Sequence, residues 1–335
     1  MIISKTPYRV SFIGGGTDYP TWYREHKGAV ISTTIDKYCY VICRYLPCTF
    51  HSRHVVVWSY IEAVQSISEI LHPAVRAALQ YLDFDDSKSI SIYYQGDLPA
   101  RAGMGSSSTF TVGLLHALTR LKGQFLSKRD LAQKAIFLEQ DILKESVGSQ
   151  DQIAAAYGGL NLIELAGNDF SVIPLNLPSD IYIQLQKNLL LFYIGSGRFA
   201  NVIAADIVAN IPKSSDFLQE LYGLVYQGID LLEQGNLDDF GYLLHRGWEL
   251  KKELSKKTSS SYIDNIYETA IGAGALGGKL LGAGGTGFML FYVPEKKQSN
   301  VLNALHYFNH VNFSFEKAGT QVILDTYNNP LYVDM

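Results

Sequence analysis

Cysteine is scarce in this chain: Cys39, Cys43 and Cys48 are the only three among 335 residues. A small, odd number argues against a disulfide framework. His51 and His54 lie nearby, but no cysteine spacing makes a C-x₂-C pair, so zinc is the poorer reading. Cys39 and Cys43 stand four apart in a β-branched stretch. There they share one face of a strand and read as small core residues. Charge is sparse as well, at 18% of residues, with 28 basic side chains against 32 acidic ones and a net charge of −4. That balance gives no support for a general nucleic-acid-binding surface. No apolar run reaches the ~18–20 residues that span a bilayer. The start, from Met1 to Pro7, lacks the charged and apolar regions of a signal peptide. The expectation is a cytoplasmic protein without a membrane partner, large enough to bury a substantial core in two packed lobes.

A lysine is missing from the most informative stretch. Leu98-Pro99-Ala100-Arg101-Ala102-Gly103-Met104-Gly105-Ser106-Ser107-Ser108 runs directly into Thr109–Leu118, which reads as a helix. Such a loop aims free backbone N–H groups and the positive end of a helix dipole at one point, which favours a phosphate. The Gly-Lys-Ser/Thr ending of a Walker loop is absent. Phosphates bound here are therefore held by backbone and hydroxyls.

Around this loop the order of elements is not strictly alternating. Arg9–Ile13, Ala29–Thr34, Tyr38–Tyr45 and Val55–Trp58 read as strands, rich in β-branched and aromatic residues. A helix starts near Pro73, a strand covers Ser89–Tyr94, and helices follow at about 106–121 and 128–145, the second with Ser127 as N-cap. Strands return at Gly158–Glu164, Tyr182–Leu185 and Leu189–Ile194. Helix then dominates from about 199 to 273, with breaks near Pro212, Gly235 and Lys256. The last sixty residues read strand, helix, strand, strand: Gly287–Val293, Ser299–Phe308, Asn312–Glu316 and Gln321–Asp325. This points to an α+β fold rather than a doubly wound sheet, divided into 1–190 and 191–335. The aromatic strand residues between Tyr38 and Trp58 are candidates for a base pocket, although such residues are usually core.

Two further glycine-rich loops are present, Gly14-Gly15-Gly16-Thr17-Asp18 and the run from Gly277 to Gly287. The second contains G-x-G-x-x-G at Gly282, Gly284 and Gly287, and another match at Gly272, Gly274 and Gly277. A dinucleotide fingerprint follows a strand and opens a helix. Here one match runs into the strand Phe288–Val293 and the other into more glycine, so a Rossmann site is excluded. Taken singly each loop is a turn. Three together suggest close backbone approach to a ligand.

Their order and wording resemble the GHMP kinases. The first family motif is matched by Pro7-Tyr8-Arg9-Val10-Ser11-Phe12-Ile13-Gly14-Gly15-Gly16-Thr17-Asp18-Tyr19, the second by Pro99–Ser108 and the third by Lys279–Phe288. Gly-Gly-Gly-Thr-Asp in place of Gly-Glu-His-Thr-Asp is similar to the heptose-phosphate kinases within that family. The resemblance implies a two-lobed fold, an N-terminal lobe like domain 2 of ribosomal protein S5 and a ferredoxin-like C-terminal lobe, with ATP between them. It also implies phosphorylation of the anomeric O1 of D-glycero-D-manno-heptose 7-phosphate to the 1,7-bisphosphate, in the synthesis of nucleotide-activated heptose for surface polysaccharide.

The resemblance assigns roles residue by residue. Gly103, Gly105, Ser106, Ser107 and Ser108 would bind ATP, with Ser107 and Glu139 as the ligands of Mg²⁺. Asp151 would be the catalytic carboxylate that receives or orients the proton of the attacking hydroxyl, and Arg9 its basic partner. Thr17, Asp18, Gly284 and Gly285 would face the sugar. A sugar phosphate also needs a cation at its far end. Arg198 is the candidate, because it follows a strand and opens a helix, with Arg101 and Lys279 as rivals. The expected partners are ATP and a small sugar phosphate, without nucleic acid or membrane; a homodimer stays open. The alternatives are a galactokinase-like or fucokinase-like enzyme, and a non-catalytic sugar sensor, which should have lost one of the groups Arg9, Ser107, Glu139 or Asp151.

Overall fold

A computed structural model describes residues 1–47, 52–100, 102–195 and 200–327. The first sheet begins with β1 (Ile2–Ile13), β2 (Lys27–Tyr45), β3 (His54–Val57), β4 (Ile61–Val64), β5 (Ile90–Gly96), β6 (Asn161–Ala166) and β7 (Asp169–Pro174). The second is β8 (Leu189–Gly195), β9 (Gly277–Leu280), β10 (Gly287–Tyr292) and β11 (Asn309–His310), in the order β11-β8-β10-β9. The chain then returns to the first sheet through β12 (Phe315–Glu316) on β2 and β13 (Gln321–Asp325) on β1. All these pairs are antiparallel except β3 with β5. The helices are α1 (Pro20–Tyr23), α2 (Pro73–Tyr81), α3 (Ser106–Leu121), α4 (Lys128–Phe137), α5 (Gln150–Tyr157), α6 (Ser179–Lys187), α7 (Ala200–Asn210), α8 (Ser215–Glu233), α9 (Leu237–Leu254), α10 (Ser261–Ala273) and α11 (Gln298–Ala304).

The α+β fold is as expected, and several elements differ in detail. The two strands read at 29–34 and 38–45 are one, β2, long enough to pair with β1, β5, β6 and β12. Tyr182–Leu185 lies in helix α6, not in a strand. Ile181 and Leu185, four apart, fall on one helical face, and Leu185 is buried. The helix expected to run to 145 is regular only to Phe137 and continues as a π-helical turn over Leu138–Ile142. Gly277–Leu280 is a strand, and the third glycine loop links antiparallel β9 and β10. The chain division at 190 falls at the start of β8. The second part is not self-contained, however, because β12 and β13 pair with first-sheet strands.

Burial follows from this arrangement. Cys39 and Cys43 are fully buried free thiols inside β2, and His54 pairs with Asp86; Cys48 and His51 lie outside the described residues. Helix α3 packs on β1 and β2, α8 packs on β2, and α9 packs on β9. A cleft therefore opens where the end of β1, the start of α3, the start of α5 and the end of α9 converge.

Candidate active site

Strand β1 delivers Arg9. Its register on β2 shifts between Pro7 and Arg9, an irregularity of the kind that re-aims a side chain. Arg9 is 3% exposed and forks onto Asp151: Nε donates to Oδ1 at 2.6 Å and Nη2 to Oδ2 at 2.7 Å, while Nη1 donates to Gly103 O at 2.8 Å. This is the planar, two-bond geometry that guanidinium and carboxylate favour. Asp151 sits in the first turn of α5, where the helix dipole favours negative charge. A Cβ placed on Gly105 would lie 3.0 Å from Asp151 Oδ2, so the carboxylate stands directly beside the second loop.

That loop turns into α3 through Gly105, at φ +70°, and the helix has no side-chain cap. Its first-turn amides and the exposed Ser107 hydroxyl face the cleft. Ser108 lines the cleft as well, and its Oγ donates to Glu139 Oε2 at 2.7 Å. Glu139 is fully buried on the π-helical turn and also accepts from Gln152 Nε2, while its Oε1 has no hydrogen-bond partner among the described residues. Burial pushes its carboxyl up to about 7. Ser107 and Glu139, the expected magnesium ligands, thus lie on either side of Ser108, which bridges to Glu139 by this hydrogen bond. Trp58 joins His72, and His72 joins Phe110 on α3, as an aromatic path that starts one turn beyond the cradle.

Of the first-motif residues, Asp18 reaches the cleft and Thr17 does not. Asp18 is 2% exposed; Oδ1 accepts from Gly16 N at 2.9 Å and Oδ2 from Gln150 Nε2 at 2.9 Å. Burial raises its pKa. Gly148 leaves room for it, because a Cβ there would overlap Asp18 Oδ2 at 1.9 Å. Thr17 is fully buried and its hydroxyl is spent on the turn, donating toward Gly14 O and Ala29 O and accepting from Ala29 N. Its expected contact with substrate is therefore corrected to a structural role. Ser11 Oγ and Gln150 Oε1 line the cleft without a hydrogen-bond partner among the described residues.

The third loop closes the opposite wall, but with Gly282 and Ala283 rather than the expected Gly284 and Gly285. Gly284 packs on Thr258 and Gly285 on Ile203. Gly103 and Gly282 let the two loops touch backbone to backbone: a Cβ on Gly103 would sit 2.3 Å from Leu281 O, and one on Gly282 2.5 Å from Gly103 Cα. Lys279 lines the cleft as well. So does Lys251 of α9, which sequence reasoning missed. A signal was present: Lys251 falls on the buried stripe Phe240, Leu244, Trp248, Leu254 at helical spacing. Arg198 and Arg101 lie outside the described residues. No group of three or more His, Cys, Asp or Glu side chains suited to a metal occurs among the described residues, and none of their helices is long and apolar enough to cross a membrane.

The family model for the GHMP kinases N terminal domain matches residues 69–159, and that for the GHMP kinases C terminal matches residues 229–311, together just over half of the chain. The D-glycero-alpha-D-manno-heptose 7-phosphate kinase of Campylobacter jejuni is 29% identical over 335 aligned residues, spanning 96% of this chain and 98% of that protein. The bifunctional fucokinase/GDP-fucose pyrophosphorylase of Arabidopsis thaliana is 25% identical over 88% of this chain, which spans only 30% of that longer protein. In fold, the crystal structure of a D-glycero-D-manno-heptose 1-phosphate kinase from Bacteroides thetaiotaomicron matches with a TM-score of 0.79 over 97% of this chain and 99% of that one, at 24% identity. With both domain matches in order along one chain, this protein belongs to the GHMP kinases, as a phosphotransferase of the sugar-kinase kind that uses ATP as co-substrate.

Proposed function

We propose that the enzyme transfers the γ-phosphoryl group of ATP to the anomeric O1 of D-glycero-D-manno-heptose 7-phosphate, giving the 1,7-bisphosphate and ADP, in the synthesis of nucleotide-activated heptose. The observation that carries this reading is the Arg9–Asp151 fork held against the serine-glycine cradle. Phosphoryl transfer needs an oriented nucleophile and charge stabilisation more than covalent help from the protein. Asp151 receives the proton of the sugar hydroxyl as the new O–P bond forms and the bond to ADP breaks. Arg9 holds that carboxylate and offsets charge on the moving group. An anomeric hydroxyl is more acidic than an ordinary alcohol, so a modest base suffices. Asp18, Ser11 Oγ and Gln150 Oε1 supply acceptors and a donor for the remaining hydroxyls. The choice of a heptose phosphate is supported by the Campylobacter jejuni relative across nearly its full length.

Mg²⁺ fits the donor set. The orphaned, buried Oε1 of Glu139 and the hydroxyls of Ser107 and Ser108 are hard oxygens. Few protein oxygens beside nucleotide phosphates is the habit of Mg²⁺ rather than Ca²⁺. When bound, the ion would neutralise charge on the β- and γ-phosphates. The test is an ATP-coupled turnover assay across heptose 7-phosphate, galactose, fucose and mevalonate. Heptose 7-phosphate should give the highest kcat/KM; its inactivity beside an active unphosphorylated sugar would reject the assignment in favour of the galactokinase-like or fucokinase-like reading.

A further inference from the structure

The roles above leave two buried ammonium groups in the cleft unused. Lys251, on α9, is 7% exposed and Lys279, on β9, is 5% exposed, and both line the cleft. Neither meets a carboxylate: the ion pairs of the described residues include neither lysine. Lys251 Nζ donates to Leu280 O at 3.1 Å and to Gly282 O, and Lys279 Nζ donates to Phe12 O at 2.8 Å. These bonds use two of the three N–H groups of Lys251 and one of the three of Lys279. The acids nearby are already engaged. Asp151 is forked by Arg9, and Asp18 is held by Gly16 and Gln150.

Burying cations without counter-charge is unfavourable unless something anionic arrives. Burial and the neighbouring Arg9 lower Lys251 to about 8, and burial together with Lys251 and Arg9 lowers Lys279 well below the usual lysine value. Lys251 bonds the carbonyl of Gly282, whose backbone touches Gly103 of the phosphate loop. Lys251 thus stands beside the third loop, and Lys279 reaches across to Phe12 O at the end of β1, both lining the cleft.

We propose that Lys251 and Lys279 form an anion-receiving floor that binds phosphoryl oxygens in the cleft, the positive charge that a Walker loop would supply with its own lysine. This rests on the sugar-kinase reading and extends it to the second wall. The oxygens have two chemical sources, the phosphoryl group in transfer from ATP and the phosphate already on the sugar.

Calorimetric titrations of the wild type, Lys251→Met and Lys279→Met distinguish them. One arm uses a non-hydrolysable ATP analogue with ADP as its control; the other uses heptose 7-phosphate with the unphosphorylated heptose as its control. If the floor holds the transferred group, each variant loses about tenfold or more in affinity for the analogue and little for ADP. If it holds the sugar's phosphate, the same loss appears for heptose 7-phosphate and not for heptose. Affinities unchanged within about twofold in both arms overturn the proposal. A wild-type measurement covers variants that fail to fold. At a pH near 8.5, anion binding should draw protons onto lysines flanked by Arg9, Asp18, Asp151 and each other, seen as heats that depend on buffer ionisation. No proton uptake with either ligand is the second overturning result. The ATP-analogue arm stands whatever sugar proves to be the substrate, so its failure is separable from that of the heptose assignment.

Discussion

On the first-lobe wall of the cleft each charged group has a partner of its own: Arg9 holds Asp151, and Gly16 and Gln150 hold Asp18. On the other wall Lys251 and Lys279 donate to backbone carbonyls and join no ion pair among the described residues. The difference separates two tasks. Paired charges are fixed in geometry before substrate arrives, which suits a group that must orient a hydroxyl. Unpaired buried cations are held ready for an anion that only the ligand brings. Between the walls, Gly103 and Gly282 let the two glycine loops meet without side chains.

Asp151→Asn attacks the paired wall most directly. It should lower kcat by about a hundredfold or more while an ATP analogue still binds within about threefold, as steady-state kinetics and titration would report. A fall in analogue affinity as large as the fall in kcat would mean that Asp151 holds nucleotide instead. The seam comes next. At φ +81°, Gly103→Ala forces a Cβ onto Leu281 O and should cost about 3 kcal/mol in urea unfolding. Gly223→Ala, in open space inside α8, should instead stabilise by about 0.5–1 kcal/mol.

Glu139 probes the buried acid beneath the cradle. Its folded pKa, about 7, lies above the ordinary value of 4.5. Between these values the unfolded chain has released the proton that the folded protein keeps. Stability from this group is therefore present at low pH, falls as pH rises toward 7, and stays low above it. Glu139→Gln removes that loss and should stabilise the metal-free protein by about 2 kcal/mol at a pH near 8, with almost no gain near pH 4.5. Equal gains at both would contradict the burial account. The first loop is probed by Thr17→Val. It should cost about 1–2 kcal/mol of stability through the lost turn bonds, with the sugar KM unchanged; a raised KM would return Thr17 to the substrate.

Sequence made some of this legible and hid the rest for physical reasons. The cradle could be read because a glycine-serine loop before a helix leaves few other uses for its amides. Arg9 and Asp18 stood out through the first motif, and Asp151 through its match to the family's catalytic aspartate. Thr17 misled because a motif carries a hydroxyl's presence and not its direction, and here it faces Gly14 and Ala29. Gly277–Leu280 looked like loop because glycine is a poor strand former. In the structure Gly277 lets α9 lie close, a Cβ there falling 2.0 Å from Gly241 O. Lys251 was hidden among Lys252 and Glu253, where charge suggests a solvated face. Only its place on the apolar stripe of α9 betrayed it.

The most direct test of the account is to identify which hydroxyl receives the phosphate. Heptose 7-phosphate and ATP would be incubated with the wild-type enzyme, and the product read by phosphorus–proton correlation NMR. The account predicts a new phosphorus coupled to the anomeric proton, with the 7-phosphate intact. Coupling to any other sugar proton, or ADP and free phosphate without a sugar bisphosphate, would contradict it.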